Sequence, residues 1–189
     1  MLPVTRSLLF CILLACALGV QAQDITQYGL FKLSENEIYW KTTYKYPGAA
    51  DSLRPFVVQM LKSKFFTFNV IRNEAGYNGE IRHYKVDAKK YGRTYMNTPR
   101  MYWEGEWTGK FIVEVLPNEY RVTVYALYYE KIEKSTGYYK TEKSVKGRYF
   151  DAVTRKKGKS LLKSEFSNLD LISRSLQDEF DIRNTVLPP

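Results

Sequence analysis

The stretch from Lys110 to Leu127, "KFIVEVLPNEYRVTVYAL", is the part of this chain that leaves the fold least freedom. Phe111, Val113 and Val115 alternate with Lys110, Ile112 and Glu114. After "PNE", Tyr120, Val122, Val124 and Ala126 alternate with Arg121, Thr123, Tyr125 and Leu127. A period of two on both sides of a turn predicts an antiparallel hairpin with one apolar face. Such a face must be covered by another layer.

Two helical patterns can supply that layer. In "DSLRPFVVQMLKSK", Asp51 to Lys64, residues Leu53, Val57, Met60 and Leu61 recur at helical spacing, and Pro55 fits a helix only in its first turn. Near the end, Leu162, Phe166, Leu169, Ile172, Leu176 and Phe180 form one stripe, which predicts a helix over Ser160–Arg183. Further strands are expected at Ile38–Tyr46, closed by Pro47 and Gly48, and at Phe65–Arg72 and Glu80–Val86, with Asn73–Gly79 as their turn. A basic, aromatic loop occupies Asp87–Arg100, and one more strand is expected near Lys146–Val153 within the Lys-rich stretch Glu133–Lys159. The order is strand, helix, four or five strands, long helix. It predicts an α+β, two-layer domain over 38–183: a curved antiparallel β-sheet with two helices packed on one face and the other face open. Residues 23–37 read as an N-terminal extension and 184–189 as a tail.

The first 22 residues read as a secretory signal peptide. Arg6 is their only charge, an apolar run covers Leu8–Val20, and "VQA" precedes Gln23. The run is too short to span a bilayer. A second reading makes "LLAC" a lipoprotein signal with Cys16 as the lipidated residue; bulky Leu14 fits it poorly. Both cysteines, Cys11 and Cys16, lie in this segment. Cleavage after Ala22 leaves no thiol for a disulfide, a nucleophile or a thiolate metal site, so the core alone must hold the fold. Removing Arg6 takes the 29 basic side chains to 28 against 20 acidic ones, a net charge of about +8. That surplus favours anionic partners. For an exported protein these are glycans, lipid head groups or envelope polymers, and no nucleic acid is expected.

Within "MYWEGEWTGKF", Met101 to Phe111, two carboxylates are bracketed by two indoles. Acids at i and i+2 on a strand lie about 7 Å apart, within the separation an inverting glycosidase uses. However, Glu104 and Glu106 would then point the same way from one strand, and the parity that runs to Phe111 places Trp103 and Trp107 on the packed face. A glycoside hydrolase is therefore the third-ranked reading. It is kept open by the length of the segment, which invites a bulge at Gly105 or Gly109 that would expose one tryptophan.

No other catalytic pattern is present: no nucleophile elbow, zinc-helix motif, phosphate loop or dinucleotide fingerprint. His83 is the single histidine, which leaves no histidine-based metal site, and it reads as an ordinary strand residue. The sixteen tyrosines mostly suit sheet packing, and "TRKKGK", Thr154–Lys159, suits a solvated turn. The informative feature is the open face. Lys41, Lys45, Lys85, Arg121 and Tyr125 fall on the non-core parity of their strands and are the candidate ligand-binding residues, with Lys110 beside them. No catalytic residue, metal or cofactor is assigned. The expected function is an exported, non-enzymatic binding module for an anionic glycan or similar ligand. The alternative is a structural component that docks on another cell-envelope protein.

The exported signal, the early strand with Trp40, the single following helix, "YRVTV" (Tyr120 to Val124) in the hairpin and the long closing helix together resemble a family of secreted Bacteroidota proteins of unknown function with a TATA-box-binding-protein-like fold. The resemblance covers about Ile38 to Phe180. It implies a curved antiparallel sheet with two helices on its convex side and carries over no catalytic residue. The fold name does not imply DNA binding.

Overall fold

The computed structural model describes residues 24–64, 67–71, 76–134, 142–155 and 158–186. The expected signal segment, the ends of the expected strand at 65–72, residues 73–75 of the expected turn, and residues 135–141 and 156–157 of the Lys-rich stretch lie outside the described residues.

Eight strands form one sheet: β1 (Gln27–Tyr28), β2 (Phe31–Ser34), β3 (Glu37–Lys45), β4 (Thr67–Ile71), β5 (Gly76–Tyr84), β6 (Glu106–Leu116), β7 (Glu119–Lys134) and β8 (Glu142–Arg148). Their order is β1-β2-β3-β7-β6-β5-β4, every described pairing is antiparallel, and β8 also pairs with β7. The fold is thus the expected α+β, with a curved antiparallel sheet. Helices α1 (Ala50–Lys64) and α4 (Phe166–Phe180) cover one face, while α2 (Arg100–Trp103), α3 (Tyr149–Val153) and α5 (Arg183–Val186) are single turns. A small hairpin, β9 (Thr154–Arg155) with β10 (Ser160–Leu161), precedes α4.

The hairpin parity places the core. Phe111, Val113, Val115, Tyr120, Val122 and Val124 are all buried, under the buried stripe Leu53, Val57, Met60 and Leu61 of α1 and Leu169, Ile172, Leu176 and Phe180 of α4. Each such side chain contributes about 1.5–3 kcal/mol through burial. Three polar tips facing the helices are satisfied by α4: Trp40 Nε1 donates to Ser173 Oγ at 3.1 Å, Tyr44 Oη to the Gln177 carbonyl at 2.8 Å, and Tyr84 Oη meets Ser175 Oγ; the buried Trp107 Nε1 has no partner among the described residues. These tyrosines serve packing, as their strand parity implied.

Several boundaries differ from the sequence reading. Residues 27–34, expected as an extension, are β1 and β2, and bury Phe31 and Leu33 in the core; their short runs carry too little alternation to be read alone. Gly76, Tyr77, Asn78 and Gly79, expected in the turn, lie in β5, which ends at Tyr84 rather than Val86. Pro55 sits at the sixth position of α1 and is exposed, so the carbonyl it leaves without a helical donor faces the solvent side. The strand expected at Lys146–Val153 begins earlier, at Glu142, and gives way to α3 at Tyr149. The closing helix begins only at Phe166, because Ser160–Leu161 is drawn into β10.

Candidate functional site

The face of the sheet opposite the helices carries Lys41, Lys45, Arg121 and Tyr125, as parity requires, and Lys85 reaches the same side just beyond β5. The structure divides these cations into two groups. Glu119 is held by Lys45 and by Arg121, whose Nη2 lies 2.7 Å from its Oε1. These hydrogen bonds, from Lys45 first, hold the Glu119 carboxyl below its ordinary range. Glu106 accepts from His83 Nδ1 at 2.8 Å and pairs with Lys85 at 3.1 Å, and these contacts lower its carboxyl in the same way, His83 leading. Arg82 pairs with Glu80 at 2.6 Å. By contrast, Lys41, Lys110 and Lys146 have no carboxylate within 4 Å among the described residues. Lys85 is thus paired by Glu106, and Lys45 and Arg121 share the single charge of Glu119, whereas Lys41, Lys110 and Lys146 have no ion pair among the described residues. Tyr125 stacks on Tyr39 across the β3–β7 pair, centroids 6.1 Å apart at 23°.

The face is not flat, because two bulges oppose each other across β6. On β5, Arg82 and His83 together face Thr108; on β7, Ala126 and Leu127 together face Gly109. The extra residues His83 (φ 52°) and Ala126 (φ 50°) both adopt left-handed backbone. Neither is glycine, so each carries a cost of about 1–2 kcal/mol. Gly109 permits the close approach, since a Cβ there would stand 2.9 Å from Leu127 Cδ2.

These bulges correct the sequence parity at three points. Leu127 is buried and Ala126 faces the open side, the reverse of strict alternation. Ile81 and Tyr84 both face the helices. The irregularity lies in the strands flanking β6 rather than at Gly105 or Gly109 itself, so β6 keeps Trp107 buried. Because Ala126 has only a methyl group between Tyr125 and Tyr128, an open concavity of about 350 Å³ forms there, lined among others by Glu80, His83, Thr108, Lys110, Tyr128 and Lys146. The Lys146 ammonium lies 5.7 Å from the Tyr128 ring centre. Sequence reasoning included Lys110 only as a neighbour and missed Tyr128 and Lys146. Position along a strand gives their face, but only the bulges reveal that they surround one depression.

The paired acids do not meet. Glu104 ends α2 and accepts from Tyr95 Oη at 3.1 Å, whereas Glu106 begins β6 and faces His83 and Lys85. Trp103 is half-buried on α2 with its edge against Tyr95, and neither tryptophan lies in the concavity. A helical turn therefore replaces the single strand that the paired-acid reading required. Among the described residues no cluster of His, Cys, Asp and Glu could hold a metal ion, and no helix is long and apolar enough to cross a membrane.

The loop 87–99 is tied to α4: Lys90 Nζ lies 2.5 Å and Tyr91 Oη 2.8 Å from Asp178 Oδ2, and Arg93 donates to Ser167. Its tip exposes Met96 (99%) and Tyr95 (46%).

No protein-family model matches the chain, and no curated protein matches it. Solved structures similar to it include a TBP-like protein from Parabacteroides distasonis, 12% identical with a TM-score of 0.41, covering 81% of this chain and 97% of that one. A DUF4468 family protein from Bacteroides ovatus is 11% identical with a TM-score of 0.41, covering 86% of this chain and 94% of that one. The architecture of this chain stands on the strand pairing and packing described above.

Proposed function

We propose that this chain is an exported, non-enzymatic binding module that takes an anionic glycan on the open face of its sheet. The observation that carries the reading is the presence on that face of Lys41 and Lys110, without carboxylate partners among the described residues, beside the stacked Tyr39–Tyr125 pair. Free ammonium groups give attraction to a polyanion without the cost of breaking an existing ion pair. Tyrosine supplies rigid contact area for a sugar ring. Lys45 and Arg121 orient Glu119 and each adds less, because the two share its one opposing charge.

The test is retention of residues 23–189 on acidic and neutral polysaccharides across a salt series, beside a Lys41→Glu variant. Retention on the acidic polymers alone, weakening with salt and reduced in the variant, supports the reading. Equal retention on neutral polymers, or none on any, rejects it.

Exposed Met96 and Tyr95 favour a second reading, a component that docks on another envelope protein through the 87–99 loop. Binding of that kind would be indifferent to Lys41 and to salt, and would be lost in a Tyr95→Ser/Met96→Ser variant.

A further inference from the structure

The concavity between the two bulges has a composition that narrows the ligand. Lys110 and Lys146, two lysines with no carboxylate within 4 Å among the described residues, both line it. Two ammonium groups in one depression, neither in an ion pair among the described residues, favour an anion there. The site also holds acceptors and neutral groups: the Glu80 carboxylate, already paired with Arg82, the Thr108 hydroxyl and the Tyr128 phenol. His83 is fixed through Nδ1 by Glu106, which leaves Nε2 as its uncommitted ring atom among the described residues. The one guanidinium present, Arg82, is already committed to Glu80, so the site offers no bidentate fork of the kind that holds a phosphate. A singly charged carboxylate on a ring bearing hydroxyls matches this lining: lysines for the acid, Glu80, Thr108 and His83 for hydroxyls, and the Tyr128 ring as contact area. A volume of about 350 Å³ lies at the lower end of small-molecule sites, which span about 300–1,000 Å³.

We infer that this concavity is a subsite for one carboxylate-bearing sugar unit, held by Lys110 and Lys146. The inference rests on the glycan reading above and gives it a monomer.

The chain contains a single histidine, so the His83 imidazole resonance is an unambiguous reporter at the edge of the subsite in a tag-free protein. The experiment titrates methyl glucuronide and, separately, methyl glucoside while following that resonance. The expected result is a saturable shift with the glucuronide, at least about tenfold weaker with the glucoside. It should be lost in a Lys110→Met/Lys146→Met variant and kept in Lys62→Met, a control at an exposed lysine of α1 on the helical side of the sheet. Both substituted lysines are exposed, so the variant's unfolding midpoint should match that of the unaltered chain. A shift of equal strength with both sugars, no saturable shift, or a shift that survives the double substitution overturns the subsite. Loss of polymer retention in Lys41→Glu but not in the double variant also overturns it, while leaving the sheet-face reading intact. Saturation by the glucuronide without retention on any polymer upholds the subsite and rejects the sheet-face reading.

Discussion

The Tyr120 hydroxyl donates to the Phe180 carbonyl at 2.7 Å and accepts the Ile182 N–H at 3.1 Å, so one phenol satisfies both the end of α4 and the chain leaving it. The last carbonyls of a helix have no partner within it, and here the sheet supplies one. Tyr120 is buried and lies face to face with Tyr44, centroids 4.7 Å apart. Tyr120→Phe keeps the ring but strands a buried carbonyl and a buried N–H. The expected cost is about 1–3 kcal/mol, a fall of about 2–4 °C in Tm for each kcal/mol. Thermal unfolding checks it; an unchanged midpoint would show that α4 is held by its apolar stripe alone.

The tyrosines beneath α4 also set an alkaline limit. Burial, first of all, pushes the phenols of Tyr44, Tyr84 and Tyr120 above their ordinary value. The folded chain therefore keeps protons that the unfolded chain gives up above about pH 10. Stability is full below that pH and falls as pH rises through it toward the folded values. Tyrosinate absorbance should rise in two stages: exposed phenols first, then a cooperative step that coincides with loss of the dichroism of the fold. A single smooth titration with the fold intact would contradict this.

At the bulge in β7, backbone strain and strand exchange coincide. Pairing with β3 ends at Val124, pairing with β8 begins at Tyr128, and Ala126 with φ 50° stands between them. Ala126→Gly removes a left-handed penalty of about 1–2 kcal/mol against an entropic cost of about 0.5–1 kcal/mol. The net expectation is a gain of about 0.5–1 kcal/mol. Ala126→Val should lose about 1–3 kcal/mol, since a β-branched residue fits that conformation worst. Denaturant midpoints of the two variants on either side of the parent check the pair; the same sign for both would deny that the backbone is strained there.

What was legible in the sequence follows from how local its cause is. The hairpin, both helices and the open-face parity of Lys41, Lys45, Arg121 and Tyr125 come from periodicity, which each segment carries by itself. The buried place of Trp107 followed from the same counting. The bulges did not, because an extra residue in β5 or β7 changes no local composition; His83 and Ala126 look like ordinary strand residues. Only pairing with β6 shows that two residues face one. Everything that depends on those bulges was therefore hidden: the reversal at Leu127, the concavity, and the place of Lys110 and Lys146 in its lining. Charge compensation was hidden for a similar reason, since Glu119 shares its face with Lys45 and Arg121 only once β3 is placed beside β7.

The 87–99 loop should respond to acid through one carboxylate. Burial works to raise the Asp178 carboxyl, but hydrogen bonds from Lys90 and Tyr91 more than offset it and hold the group below its ordinary value. The stabilisation it gives is thus present above about pH 4, the ordinary aspartate range, and lost as pH falls through the lowered value. Asp178→Asn removes the charge at every pH, so it should reproduce at neutral pH what acid does to the parent. The turn it anchors is marked by the Gly92 N–H to Lys89 carbonyl bond at 2.9 Å and the Arg93 N–H to Ala88 carbonyl bond at 3.0 Å. Amide exchange at Gly92 and Arg93 should be protected in the parent near neutrality, quicken below about pH 4 relative to the intrinsic rate, and be fast throughout in the variant. The core amides of β6 should keep their protection in both, because local opening of a surface loop does not require global unfolding. Equal protection of Gly92 and Arg93 in parent and variant would show that Arg93 and Ser167, not Asp178, hold the loop on α4.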